Sequence, residues 1–182
     1  MEMDLNSHSL SPPNLEWMSY RKETKPSEDD ILRTLKSIPL FAELSSRDWR
    51  DLAPLFHQRW FQDGEVIFEA GTPGLGMYII IQGGVRVAAE QMGREVEIAR
   101  LEPGSFFGEM SLLDEIERSA TVLAVGETQL VGIFRPQFHD LTTQRQKLGV
   151  VLLRRLAQIV VQRLRETDRR LSAIAHPEAR KV

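Results

Sequence analysis

From Arg59 to about Phe134 the chain is cut by glycines into short β-rich runs, and this punctuation restricts the fold more than any other feature. The runs are Glu65–Phe68, Met77–Ile81, Val85–Val87, Glu95–Ile98, Ala120–Val125 and Thr128–Phe134. Their β-branched and aromatic residues suit a half-buried pleated surface. Gly64, Gly71, Gly74, Gly76, Gly83, Gly84, Gly93, Gly104 and Gly126 fall between them, and glycine reaches the positive φ that tight turns need. Many short strands with regular turns predict a closed antiparallel sandwich or barrel.

Helical patterns flank this region. Ser27 with Asp30 forms a helix start, and Ile31, Leu35 and Ile38 keep helical spacing until Pro39. Ser45 with Asp48 repeats the signal, and Pro54 ends or kinks that second helix. Pro136 suits a first helical position, which predicts helix from there to about Leu171 with a break near 141–146. The chain therefore divides into a flexible arm (1–26), N-terminal helices (27–58), a β-roll (59–134), C-terminal helices (135–171) and a flexible tail (172–182).

A chain of 182 residues is long enough for one domain with tails, a formal charge of −3 argues against nonspecific nucleic-acid binding as the main activity, and no direct nucleic-acid partner is expected. The basic C-terminal residues Arg163, Arg165, Arg169 and Arg170 alternate with Glu166 and Asp168 and read as a solvated helix end. There is no cysteine, which excludes disulfides, thiolate metal sites and a cysteine nucleophile. The four histidines are scattered, so no metal site is expected. With neither a Walker loop nor a Gly-x-Ser-x-Gly elbow, catalysis is not expected either. No signal-peptide pattern or membrane-length apolar run is present, and the expected location is cytoplasmic, with no membrane partner.

The candidate chemistry lies in Phe106-Phe107-Gly108-Glu109-Met110-Ser111-Leu112-Leu113 and, after an acidic gap, Arg118-Ser119-Ala120-Thr121-Val122. A short helical turn after Gly108 offers free N–H groups to an anion. Arg118 can hold two phosphate oxygens, and small Ser119 and Ala120 let backbone N–H groups approach. Glu109 would repel a phosphate unless a ribose hydroxyl lay between them and donated to its carboxylate. Ser111 fits either tight packing or a direct contact. Asp114, Glu115 and Glu117 are expected in solvent.

This two-part segment resembles the phosphate-binding cassette of the cyclic nucleotide-binding domain family, shared by catabolite-activator regulators, cyclic-nucleotide-dependent kinases and gated channels. The likeness extends through Ile38–Ser45, Asp63–Gly71, Met77–Val87 and Leu101–Glu109. It implies a mainly β fold: an antiparallel jelly-roll barrel, or double-stranded β-helix, of about eight strands with N-terminal helices and a C-terminal hinge helix. It implies phosphate contacts from Arg118, Ser119, Ala120 and Gly108, and ribose contacts from Glu109 and Gly108. Met110, Ser111, Thr121, Arg155 and Gln158 are further candidates, with Arg154 and Gln162 as alternatives on the same helix. The proline many relatives carry before the arginine is replaced here by Glu117, which bears on loop stiffness. Ser119 instead of threonine leans toward cAMP over cGMP as the ligand, and no cofactor is expected.

Between Leu148 and Leu164 apolar residues occupy more than one helical face, so one face can meet the roll and another a second copy. The resulting expectation is a sensor that signals through this helix to a homodimer partner or an unidentified effector. No helix-turn-helix is expected after Leu171. A degenerate scaffold without ligand, or a transcription-regulator relative lacking its DNA-binding domain, are the alternatives.

Overall fold

The computed structural model describes residues 26–175, and both N-terminal helix signals form reciprocal caps in it. In α1 (Glu28–Ser37) the Ser27 hydroxyl accepts from the Asp30 N–H while the Asp30 carboxylate accepts from the Ser27 N–H. Ser45 and Asp48 do the same for α2 (Ser46–Leu52). A 3₁₀ turn follows each helix, over Pro39–Phe41 and Ala53–Leu55, as each proline stops the α-helical ladder. The flexible arm read over residues 1–26 lies outside the described residues except for Pro26.

Among the described residues, six antiparallel strands follow: β1 (His57–Phe61), β2 (Val66–Phe68), β3 (Gly76–Gln91), β4 (Arg94–Leu101), β5 (Phe106–Phe107) and β6 (Thr121–Phe134). Their order is β1-β6-β3-β4, with β2 also on β6 and β5 on β3. The sheet is curled but not closed, and it has six strands where about eight were expected.

The difference in number has a local cause. Met77–Ile81 and Val85–Val87 are one strand, β3, and Ala120–Val125 and Thr128–Phe134 are one strand, β6. Gly83 and Gly126 do have positive φ, +75° and +69°, but within strands instead of between them. The ladder changes register between Ile80 and Gln82 and again between Gln82 and Gly84. Such bulges bend a strand and increase its twist without ending it. A Cβ at Gly83 would collide with the Glu127 carbonyl and Thr128. The Thr128 hydroxyl donates to the Gly84 carbonyl at 2.9 Å and holds the bend. Strand β1 was not among the predicted runs because its sequence, His-Gln-Arg-Trp-Phe, is mostly polar and exposed at this edge.

Alternation along β3 and β6 divides the core. Met77, Ile79, Ile81, Val131 and Ile133 face a helical layer built from Ile31, Leu35, Phe41, Leu52 and Phe138, while Ile80 and Leu130 face the inside of the roll with Phe61, Val85, Phe107 and Val122. α3 (Arg135–Gln144) has Pro136 in its first turn and breaks at Arg145, and α4 (Gln146–Ala175) continues from there. Leu148, Leu152 and Leu156 repeat every four residues and are buried against the N-terminal helices. Residues 172–175, assigned to a flexible tail, are the end of α4; residues 176–182 lie outside the described residues.

Candidate functional site

A cavity of about 380 Å³ opens beside the cassette. Its apolar wall comes from Phe68, Val87, Ala99, Leu101, Phe107 and Val122, and its polar side from Glu109, Arg118, Ser119 and Arg163. Because β3 and β6 curl, residues of both strands reach this space together with the cassette between β5 and β6.

Gly108 adopts the left-handed conformation, φ +74°, and caps a 3₁₀ turn over Glu109–Leu112. A Cβ there would fall inside contact distance of Arg118 Nη1. Only glycine lets the guanidinium pass so close to this backbone. Gly74 plays the matching part on the other side, where a Cβ would collide with the Ser111 hydroxyl.

Arg118 is 7% exposed. Its Nη2 donates to the Gly76 carbonyl at 2.8 Å, and its Nη1 to the Ser111 hydroxyl at 3.0 Å and to the Gly108 carbonyl at 3.4 Å. The guanidinium carbon lies 4.0 Å from the centre of the Phe68 ring. Nε is buried without a partner, and among the described residues Arg118 is in no salt bridge. Burial pulls its pKa down, opposed by Tyr78 and then Glu109. A buried cation held by neutral oxygens is electrostatically incomplete, and an added anion would restore the balance.

Glu109 is 3% exposed. Both its carboxylate oxygens accept from Arg163 Nη1 at 2.8 Å, and Arg163 Nη2 donates to the Phe106 carbonyl at 2.8 Å. Arg163, on α4, was read from sequence as part of a solvated helix end. Its place in the chain gave no sign of this contact, which depends on how α4 crosses the roll.

The other candidates divide clearly. Ser119, Ala120, Met110 and Ser111 line the cavity with Gly108, Glu109 and Arg118. Among the described residues, the N–H groups of Ser119 and Ala120 reach no backbone acceptor. Ser111 is buried and its hydroxyl is taken by Arg118, so it positions the arginine. The Thr121 hydroxyl accepts from the Ala70 N–H at 3.1 Å, outside the cavity. Arg155 and Gln158 are also outside it: Arg155 pairs with Glu43 and donates to Gln158, while Arg154 pairs with Glu43 as well. Gln162 lies on another face of α4. Asp114 and Glu115 are exposed, and Glu115 pairs with Arg135; Glu117, also exposed, reaches the cavity rim. The apolar positions Val87, Ala99 and Leu101 were not singled out, since only strand pairing brings them to the cassette.

Among the described residues, no group of three or more His, Asp or Glu could hold a metal, and no helix is long and apolar enough to cross a membrane.

Fold and sequence together place the chain in a known class. Residues 58–145 match the profile of the Cyclic nucleotide-binding domain, and the chain belongs to that family. It is 37% identical over 147 residues to the cyclic AMP receptor protein of Thermus thermophilus, which covers 80% of this chain and 66% of that one. It is 33% identical over 115 residues to the cAMP-dependent protein kinase type II regulatory subunit of Drosophila melanogaster, 63% of this chain and 29% of the other. The crystal structure of the Thermus thermophilus catabolite activator protein matches with a TM-score of 0.68 at 36% identity, over 78% of this chain and 65% of that one. The N-terminal domain of a Streptomyces coelicolor A3(2) transcriptional regulator matches with a TM-score of 0.65 at 30% identity, over 74% and 94%. The chain thus spans about two thirds of the Thermus receptor and under a third of the kinase subunit.

Proposed function

We propose that this chain is a non-catalytic, cytoplasmic cyclic nucleotide sensor, with cAMP preferred over cGMP, that reports occupancy through α4. The observation that carries the reading is Arg118, a buried guanidinium with an unpartnered Nε and no carboxylate partner among the described residues. A cyclic phosphate fits it: the Nε edge takes one oxygen, and the Ser119 and Ala120 N–H groups take another. The ribose 2′-OH donates to Glu109, which separates the carboxylate from the phosphate. The base lies on the apolar wall of Val87, Ala99 and Leu101. Ser119 after the arginine supports cAMP. So does likeness to a cyclic AMP receptor protein and to a regulatory subunit of a cAMP-dependent kinase.

The output runs through α4 to a second copy or a separate effector. Val150, Leu153, Val161, Leu164 and Leu171 are at least 41% exposed along this helix. Their spacing keeps them near one stripe, as two helices of a homodimer require. The deciding experiment is calorimetric titration of refolded, ligand-stripped protein with cAMP and with cGMP, beside Arg118→Met. Saturable binding that is tighter for cAMP and lost in the variant is expected. No binding of either nucleotide would leave the degenerate-scaffold alternative instead.

A further inference from the structure

Arg118 is a buried cation with no carboxylate in a salt bridge among the described residues, so something other than a counter-ion must hold it before a phosphate arrives. A guanidinium donates within its own plane. Nη2 is taken by the Gly76 carbonyl and Nη1 by the Ser111 hydroxyl and the Gly108 carbonyl, which leaves the Nε edge and the two faces of the group. Phe68 takes one face. Its ring centre lies 4.0 Å from the guanidinium carbon, against 5.9 Å for Tyr78, and the ring quadrupole attracts the cation over it.

Phe68 reaches this place through a change of register, because β2 pairs with β6 as Val66 with Leu123 and Phe68 with Val122, one residue more on β2 than on β6. Such a bulge re-aims a side chain. The re-aimed ring packs on Phe107 and Tyr78, with centres 5.8 Å and 6.0 Å away, and those two rings stack on each other at 5.6 Å. Both neighbours brace it.

We infer that Phe68 is a positioning residue of the ligand site: its ring holds the ligand-free guanidinium of Arg118 in the buried pose that a phosphate meets, in place of a counter-ion. This rests on the nucleotide reading above.

The kind of partner matters to the ligand. A carboxylate in the same place would occupy N–H groups and cancel the charge, and a phosphate would have to displace it. An aromatic face does neither, so Nε stays without a partner and the positive charge is undiminished. The pose itself is finely balanced, since desolvation of the cation opposes three hydrogen bonds to neutral oxygens. Without the ring the guanidinium turns toward the cavity and water, and affinity falls in proportion to the fraction of molecules that keep the buried pose.

The test places mono-, di- and trifluorinated phenylalanine at position 68 of the full chain, with Phe68→Leu beside them. Fluorine keeps the shape and apolar character of the ring and weakens the negative charge of its face. Each protein, with Arg118 intact and in the Arg118→Met background, is titrated with cAMP and unfolded in urea without ligand. With Arg118 present, affinity should fall stepwise to about tenfold at the trifluorinated ring and at least as far in Phe68→Leu, within the roughly two- to thirtyfold range of a cation–π contact. The ligand-free urea midpoint should fall in the same order, and in the Arg118→Met background neither quantity should follow fluorination. Values that stay level along the series with Arg118 present, or that fall equally in both backgrounds, would overturn the assignment. Failure of the nucleotide reading looks different: the wild type then binds no cAMP, and the ligand-free midpoints alone uphold or overturn the hold of Phe68 on Arg118.

Discussion

Replacing Arg118 with methionine separates what this side chain does for the ligand from what it does for the fold. The substitution removes hydrogen bonds to the Gly76 carbonyl at 2.8 Å, the Ser111 hydroxyl at 3.0 Å and, more weakly, the Gly108 carbonyl at 3.4 Å. Hydrogen bonds to a charged group contribute about 1.5–3 kcal/mol each. Against this stands a desolvation cost of several kcal/mol for a cation that is 7% exposed and, among the described residues, has no counter-charge in a salt bridge. Apolar replacement of buried ionic groups is often neutral or stabilising by about 1–4 kcal/mol. The methionine sulfur also keeps a favourable contact with Phe68, whose ring centre now lies 4.0 Å from the guanidinium carbon. The ligand-free variant should therefore match the wild type to within about 1 kcal/mol in urea unfolding, since the opposing terms are of similar size. The ligand effect should differ sharply. At a cAMP concentration about 100 times the dissociation constant, the wild type gains about 2.7 kcal/mol. A ten- to hundredfold loss of affinity leaves about 0.4–1.4 kcal/mol at the same concentration. If the ligand-free variant lost about 3 kcal/mol or more, as on breaking a balanced buried pair, Arg118 would be a structural strut. An undiminished cAMP effect would refute its role as the phosphate ligand.

Gly108→Ala should destabilise the domain by about 1–3 kcal/mol, because alanine is strained at φ +74° and its Cβ displaces Arg118 Nη1. Nucleotide affinity should fall with it, and a variant that melts and binds like the wild type would show that the close approach is not needed. Leu164→Glu, on the exposed stripe of α4, should convert a dimer to a monomer in light scattering without lowering the thermal midpoint; a wild type already monomeric at high concentration removes the dimer. In α1, the Ser27 hydroxyl and then its N–H hold the Asp30 carboxyl below its ordinary pKa of 3.8. A depressed folded-state pKa means that this cap stabilises fully above the ordinary value and is lost as pH falls through the lower one. Ser27→Ala should return the Asp30 pKa toward 3.8 in an NMR titration, and no change would disprove the cap's hold on it.

Much of the fold was legible because its causes are local. Ser27 with Asp30, Ser45 with Asp48, and the prolines at 39, 54 and 136 act over three or four residues and set helix ends wherever the helices pack. Gly64, Gly71, Gly83, Gly93, Gly104 and Gly126 take the expected positive φ while Gly74, Gly76 and Gly84 do not, and Gly83 and Gly126 bend strands where they were expected to end them. A glycine makes a sharp backbone conformation accessible. Whether the chain reverses there or continues depends on the strand beside it, and β3 and β6 run alongside each other through both positions.

The site shows the same division. Gly108, Glu109, Ser111, Arg118, Ser119 and Ala120 stand close together in sequence, and their residue types and spacing alone pointed to an anion beside a hydroxyl-bearing group. The sequence by itself also set the helix caps, the alternation of the strands and the mixed surface of α4. Only the tertiary structure decided that Arg118 would be buried on the Gly76 carbonyl, 42 residues away, and that Arg163, 54 residues from Glu109, would take its carboxylate while Arg155 turned to Glu43. About two helical turns separate Arg155 from Arg163 on α4, and side-chain type does not distinguish one arginine from another. The choice came from where the buried leucines of α4 seat the helix against the N-terminal layer, since that packing sets which arginine faces the cassette.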